Sequence, residues 1–124
     1  MNPPLPGGSP GRSDLLTVNV TTLYPGLVII EACGEVDTAT SPMLHKELTA
    51  VAQSTPDTLV VDLTNIDFFG SSGIKTLMQL HRQCIATGIR LRMVAPKPVH
   101  RSLELVGLGS TFILFDTLDK AITG

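Results

Sequence analysis

The sequence predicts an α/β domain built on a mixed sheet of about five strands with about four helices. Short apolar runs alternate with longer segments in which apolar residues recur at intervals of three and four. The first two runs are separated only by a Pro-Gly turn, which indicates an antiparallel hairpin. Helical segments join the later strands, so we expect these strands to be parallel and connected by right-handed crossovers.

The composition narrows the classes of protein to consider. The chain has 124 residues, 43% of them hydrophobic, and a formal net charge of −2 at pH 7, which fits one compact domain without a basic surface for nucleic acid. No apolar run approaches the roughly 18 residues of a membrane span, and no export signal is recognisable. Cys33 and Cys84 lack the spacing of a metal site or a redox pair. We therefore expect a reduced, cytoplasmic protein without membrane or nucleic-acid partners, metal or cofactor.

Residues 1–13 differ in composition from the rest of the chain. They are mostly Pro, Gly and Ser, and such a segment cannot bury enough apolar surface to offset the entropy lost on ordering. We therefore predict a disordered tail, followed by one folded domain over residues 14–124.

A hairpin is predicted at the start of the domain. Leu15–Leu23 is rich in Val, Thr and Leu with alternating apolar residues, which is typical of a half-buried strand. Pro25 and Gly26 suit the centre of a type II turn, so Leu27–Cys33 should return as the antiparallel second strand. We expect Cys33 to be a small core residue rather than a reactive thiol.

A helix and a buried strand are predicted next. Ser41 is the expected N-cap and Pro42 the first helical residue, where a missing N–H costs nothing. The helix ends near Gln53, and its apolar face consists of Leu44, Leu48, Val51 and Ala52. Asp57–Leu63 has little alternation, which indicates a strand buried on both faces in the middle of the sheet.

A Gly-Ser-Ser-Gly turn then joins the buried strand to a long helix. Because Ser is a favoured N-cap, Ser71 or Ser72 is predicted to cap a helix that runs to about Thr87 and is closed by Gly88. The position of Lys75 after the turn does not match the spacing of a phosphate-binding P-loop. The stripe of this helix predicted to pack on the sheet consists of Ile74, Leu77, Met78, His81 and Ile85.

The remaining elements are short. Ile89–Val94 alternates and predicts a fourth strand, and Ile113–Phe115 predicts a fifth. Between them, Val99–Val106 is predicted to form a short amphipathic helix that ends at Gly107, and Thr117–Ile122 a last turn or two of helix.

Asp37 and Ser71 should lie close together in the fold. Each follows the carboxyl end of a predicted strand, and sites in open α/β sheets form in the loops outside these ends. From the residues alone, both also have a simpler interpretation, since Asp commonly caps turns and Ser commonly caps helices.

Several stretches resemble the STAS domain, and specifically the bacterial anti-sigma factor antagonists. The most specific is Asp62–Ile74 (DLTNIDFFGSSGI), where a strand ending in Asp-Leu leads through a hydrophobic pair to Ser-Ser-Gly and an aliphatic residue. Gly34–Asp37 is similar to the family's Gly-x-aliphatic-Asp, and Arg101–Leu108 and Phe115–Ala121 are similar to its C-terminal part. Gly70 departs from the pattern, because the family usually has Asp immediately before the first Ser.

The resemblance implies a regulator controlled by phosphorylation, with Ser71 at the position of the family's phospho-acceptor. The implied partner is a serine-kinase anti-sigma factor that binds the unmodified antagonist, releases a sigma factor and phosphorylates the antagonist with its own ATP. A serine phosphatase would reset the cycle. With Gly70 in place of Asp, we expect Ser71 to be phosphorylated less efficiently. The residues expected to contact the partner are Asp37, Thr38, Gly70, Ser72, Gly73, Lys75 and Gln79.

Two alternatives remain open. One is an interaction module of the same fold that works without phosphorylation and is tuned by its thiols, Cys33 and Cys84. The other is an enzyme, which the sequence disfavours because His45, His81 and His100 are scattered and no G-x-S-x-G nucleophile elbow is present. We therefore predict no catalytic residue.

Overall fold

A single sheet organises the part of the chain that the structure describes. The computed structural model describes residues 15–124, so the predicted disordered tail lies outside the described residues. The strands are β1 (Leu16–Tyr24), β2 (Leu27–Val36), β3 (Thr58–Phe69), β4 (Arg90–Val94) and β5 (Ile113–Phe115). They lie side by side in chain order. β1 is antiparallel to β2, and the other neighbouring strands are parallel.

Helices connect the parallel strands, as predicted. They are α1 (Ser41–Gln53), α2 (Ser71–Thr87), α3 (Lys97–Leu105) and, at the end of the chain, α4 (Leu118–Thr123). In the β1–β2 turn, Gly26 has a φ of +93°, which agrees with the type II turn predicted from Pro25 and Gly26. The predicted fold class, a mixed α/β sheet with an antiparallel first hairpin, is therefore confirmed.

The core lies on both faces of β3, the central strand. Thr58–Leu63 is buried throughout, as predicted for a strand covered on both sides. Val61 packs in a large cluster with residues of α1, α2 and α3, whereas its neighbour Val60 packs in a smaller cluster with Ala121 of α4. Because side chains alternate between the faces of a strand, three helices cover one face and α4 covers part of the other.

β3 is longer than predicted. It ends at Phe69 rather than at Leu63, and β2 likewise continues to Val36. β4 pairs with β3 only as far as Asp62, and the pairing of β1 with β2 reaches only to Gly34. The last residues, Glu35–Val36 of β2 and Phe68–Phe69 of β3, therefore form a two-stranded extension that projects beyond the rest of the sheet. The polar residues added to β3, Thr64, Asn65 and Asp67, are exposed, which is why the apolar run in the sequence indicated an end at Leu63.

Both helices that flank the extension begin one residue away from the prediction. The N-cap of α1 is Thr40 rather than Ser41. The N-cap of α2 is Gly70, in an extended conformation, rather than Ser71 or Ser72. In each case the predicted cap residue is instead inside the first turn of its helix.

α2 is rotated relative to the predicted stripe. Its buried residues are Gly73, Thr76, Leu77, Leu80 and Cys84. Ile85, predicted to face the sheet, is 68% exposed, so the buried stripe is displaced by about one residue, or roughly 100°. The predicted stripe was wrong because it left out the small and polar residues that are in fact buried. Thr76 can be buried at low cost, since its hydroxyl donates to Ser72 O at 3.0 Å within the helix.

Two further findings concern the described residues. None of the helices between residues 15 and 124 has the length and apolar character needed to cross a membrane. The same residues contain no group of three His, Cys, Asp or Glu side chains that could hold a metal ion.

Candidate functional site

Two loops leave the two-stranded extension side by side. Val36, the last residue of β2, pairs with Phe69, the last residue of β3, and Gly70 N donates to Val36 O at 2.9 Å. Asp37 follows Val36, and Ser71 follows Gly70. The structure therefore brings the Asp37 loop and the start of α2 together, as their positions after the carboxyl ends of strands predicted.

Ser71 is the first residue of α2 and is exposed. Gly70 O accepts the N–H groups of Gly73 and Ile74 at 3.0 and 3.2 Å. The N–H groups at the very start of an α-helix have no partner within the helix, and the helix dipole favours negative charge there. Ser71 is thus an accessible hydroxyl at a position that tolerates an anion.

Ser72 differs from Ser71 although the two are neighbours. Its residue is half-buried, and its Oγ is buried without a hydrogen-bond partner among the described residues. A modifying enzyme must bring a phosphate donor into line with the acceptor oxygen, which requires open access. Of the two serines, Ser71 alone meets this requirement in the folded domain.

Gly73 fixes the start of α2 against the core. A Cβ at this position would lie 2.8 Å from both Phe69 Cζ and Val36 Cγ1, so the close approach requires glycine. On the other side of the turn, Ser102 Oγ of α3 donates to Phe69 O at 3.3 Å. Gly73 is buried, and it supports the site by packing.

Asp37 caps its own loop. Its Oδ1 accepts from the N–H groups of Ala39 and Thr40 at 2.9 and 3.0 Å. Thr40 Oγ1 accepts from Asp37 N at 2.9 Å and donates to Glu35 O at 2.8 Å. The hydrogen bond from Thr40 N is the main reason that the pKa of Asp37 is lowered from its ordinary value. Asp37 therefore caps the loop through Oδ1, as its simpler interpretation predicted. Hydrogen bonds within the loop fix its conformation beside Ser71.

A shallow cavity of about 290 Å³ lies between α1 and α2. Four of the predicted partner-contacting residues line it, namely Thr38, Ser72, Lys75 and Gln79. His45 lines the same cavity, although nothing in the sequence singled it out. His45 is half-buried and lies at the border of the apolar face of α1, next to Leu44, and this position was the signal that could have indicated it.

Phe68 is a second residue near the site that the sequence did not indicate. Its side chain is 53% exposed, whereas that of Phe69 is only 4% exposed. The ring lies close to Gly70, since a Cβ on Gly70 would be 3.2 Å from Phe68 Cε2 and 3.5 Å from Cζ. An exposed aromatic ring therefore lies beside the residue immediately before Ser71.

The two cysteines lie apart from this site and from each other. Cys84 is buried in α2, and burial raises the pKa of its thiol to about 11, so the thiol stays protonated at neutral pH. Cys33 is half-buried and is not the core residue that we predicted. It alternates along β2 with Ala32, which packs in the same cluster as Cys84, so Cys33 projects from the opposite face of the sheet.

Comparison with known proteins identifies the class of this domain. The family model described as STAS domain matches residues 20–121, which includes both loops of the site. The structure of the anti-sigma factor antagonist SpoIIAA in its unphosphorylated form has the same fold, with a TM-score of 0.71 at 20% identity over 85% of this chain and 92% of that chain. The domain is therefore a STAS domain.

More similar proteins identify the family within this class. The anti-sigma-F factor antagonist RsfB of Mycobacterium tuberculosis is 35% identical over 112 residues, which is 90% of each chain. The crystal structure of an anti-sigma factor antagonist from Mycobacterium paratuberculosis has 33% identity and a TM-score of 0.76, covering 93% of this chain and 95% of that chain. The chain belongs to the STAS-domain family of anti-sigma factor antagonists.

Proposed function

We propose that this protein is an anti-sigma factor antagonist whose binding is switched by phosphorylation of Ser71. It binds a serine-kinase anti-sigma factor through the surface around Ser71 and thereby frees a sigma factor. The kinase then transfers the γ-phosphoryl group of ATP to Ser71, and a serine phosphatase removes it. The observation that supports this most directly is the exposed hydroxyl of Ser71 at the start of a 17-residue helix, beside the Asp37 loop.

The domain itself should tolerate the phosphate. A phosphoryl group on Ser71 would lie at a helix N-terminus, where an exposed anion is favoured by about 0.3–1 kcal/mol. Lys75 is one helical turn further along α2 and is exposed, which places a cation within reach of the same surface. The switch must therefore act at the interface, where nearly two added negative charges oppose a partner surface shaped for a neutral hydroxyl.

The remaining proposed contacts surround Ser71. Thr38 and Lys75 are exposed and Gln79 is half-buried, so their side chains are available to a partner. Asp37 orders the loop that presents Thr38. Gly70 has no carboxylate beside the acceptor, and we propose that this lowers the efficiency of phosphorylation without preventing it. The role is regulatory, and no catalytic residue is proposed.

Intact-mass spectrometry after incubation with a kinase tests this function. The probes are the purified serine-kinase anti-sigma factors of the same organism with ATP, and the anti-sigma-F factor of Mycobacterium tuberculosis as a defined reference. We expect one adduct of about 80 Da, mapped to Ser71 by peptide sequencing and absent from Ser71→Ala. An adduct on Ser72, or no adduct with any of these kinases, would contradict the proposal.

A matched Gly70→Asp variant tests the proposed effect of Gly70. The matched control is Gly70→Ala, which adds the same Cβ beside Phe68 without a carboxylate. If a carboxylate beside the acceptor assists the transfer, Gly70→Asp should be phosphorylated faster than Gly70→Ala by the same kinase. Equal initial rates of the two variants would show that a carboxylate at position 70 does not assist the reaction.

A further inference from the structure

The exposed aromatic ring of Phe68 differs in position from that of Tyr24, which is equally exposed. Single exposed hydrophobic side chains are normal on protein surfaces, and Tyr24 at the β1–β2 turn is as exposed as Phe68, at 52% against 53%. Tyr24, however, lies at the opposite end of the sheet from Ser71. Phe68 is separated from Ser71 by only two residues, and its ring lies close to one of these, Gly70.

The position of the ring depends on Gly70. The distance of 3.2 Å from a Cβ at position 70 to Phe68 Cε2 is shorter than an ordinary van der Waals contact. Because Phe68 is half exposed, a larger residue at position 70 would move the ring and leave the fold intact. Gly70 and Phe68 thus form a pair in which the absence of a side chain on the glycine allows the ring its close approach.

We propose that Phe68 anchors the docking of the anti-sigma factor, and that its ring enters an apolar pocket on this partner beside Ser71. This inference rests on the proposed function and specifies the chemistry of the partner's surface. Aromatic side chains dominate the centres of protein interfaces, because they bury a large area at low entropic cost and are surrounded by polar residues that exclude water. Asp67, the preceding residue in the chain, and Lys75, one helical turn after Ser71, are both exposed and are polar groups available to the rim of such an interface.

The arrangement also explains how one phosphate could release the partner. Docking of the ring removes water from the surface that adjoins Ser71. A phosphoryl group on Ser71 would place its charge at the edge of this dehydrated contact, where an anion without a partner is strongly disfavoured. In this arrangement the ring of Phe68 provides affinity for the partner, and phosphorylation of the Ser71 hydroxyl controls whether the partner stays bound.

Binding measurements on four purified proteins test this proposal. The dissociation constant for the serine-kinase anti-sigma factor is measured by isothermal titration calorimetry for wild type, Phe68→Ala, Phe68→Gln and Tyr24→Ala. We expect both Phe68 variants to bind at least about 30-fold more weakly, as for a residue at the centre of an interface. Tyr24→Ala is the matched control with the same exposure and should bind within about twofold of wild type. Thermal melting of each variant verifies that it is folded, and Phe68→Gln decides the question if Phe68→Ala is not.

A double-mutant cycle with Gly70→Ala tests the dependence of the ring on glycine. Gly70→Ala should weaken binding by about tenfold when Phe68 is present and should have little effect in the Phe68→Ala background. Equal effects of Gly70→Ala in both backgrounds would overturn the proposed pairing.

The outcomes separate this inference from the function on which it rests. If wild type binds the anti-sigma factor and both Phe68 variants bind within twofold of it, the anchor is wrong and the proposed function stands. If wild type binds none of the anti-sigma factors, the proposed function fails, and the anchor fails with it.

Discussion

The two ends of α2 contain glycine for different physical reasons. At the C-terminal end, Gly88 has a φ of +75° and donates its N–H to Cys84 O, as predicted for a closing glycine. Nothing lies within 4 Å of where its Cβ would be, so the residue is needed for its backbone conformation alone. At the N-terminal end, Gly73 has ordinary helical geometry but is surrounded by Phe69 and Val36. There, glycine is needed because no space is left for a side chain.

This difference indicates which end of the helix can take part in recognition. The C-terminal carbonyl of Cys84 accepts from both Gly88 N and Ile89 N, so the end is closed by its own backbone. The N-terminal end is packed tightly through Gly73, yet it presents the exposed Ser71 at the positive end of the helix dipole. A rigid support under an exposed polar group is the arrangement expected of a binding site.

A negative charge at the N-terminal end of α2 should reduce affinity for the anti-sigma factor more than any of the other proposed substitutions, whereas the same charge at the C-terminal end should not reduce it. We expect Ser71→Asp to weaken binding of the anti-sigma factor by about 2–5 kcal/mol, because it introduces an unpaired charge at the interface. Ala86→Asp, in the last turn, adds the same charge at an exposed position and should leave affinity unchanged. Calorimetric titration of both variants measures the difference.

Ser71→Ala completes this comparison. It should bind as tightly as wild type and should remain bound after incubation with kinase and ATP. Equal affinities of Ser71→Asp and Ser71→Ala would show that charge at this position does not control binding.

Alanine at each of the two glycines should distinguish lack of space from backbone strain. Gly73→Ala is expected to lower the free energy of unfolding by about 1–3 kcal/mol, since its Cβ would overlap two buried side chains. Gly88→Ala should cost about 1 kcal/mol, because alanine is strained at positive φ. Urea unfolding of both variants provides these values. A Gly73→Ala variant as stable as wild type would mean that the N-terminal end of α2 is not tightly packed.

The pH dependence of stability should reveal the role of Asp37 beside the N-terminal end. Its pKa is lowered in the folded protein, so its charge stabilises the fold above the pH at which an unfolded aspartate is protonated, about 4. Wild type should therefore be more stable than Asp37→Asn at pH 7. The difference should vanish as the pH falls through the folded pKa, and urea titrations between pH 7 and 3 would detect it. A difference that persists at the lowest pH would indicate a cause other than the charge.

Ser72→Ala should have the smallest effect of these substitutions. Its hydroxyl is buried without a partner among the described residues, so removing it sacrifices no hydrogen bond there. We expect a stability within about 0.5 kcal/mol of wild type, or slightly higher, and unchanged phosphorylation. A clear loss of phosphorylation in this variant would weaken the assignment of Ser71 as the acceptor.

Much of this protein could be predicted from local patterns in its sequence. The Pro-Gly turn, the buried run of β3 and the closing Gly88 each depend on residues within a few positions of one another, and each was confirmed. The Ser-Ser-Gly motif indicated the family in the same way. The turn, the buried strand and the helix end are determined by the conformational preferences of a few residues and by the spacing of apolar residues. Both can be read from a single stretch of the chain.

The tertiary structure alone decided which face of α2 is buried and which serine is exposed. Both depend on the packing of Gly73 in α2 against Val36 in β2. The spacing of apolar residues along α2 gives no information about this contact, because Val36 belongs to a distant part of the chain. The same holds for Phe68, whose ring could have entered the core as that of Phe69 does. Contacts between distant parts of the chain set these orientations, because each element takes the rotation that fills the shared core, whatever its own pattern favours.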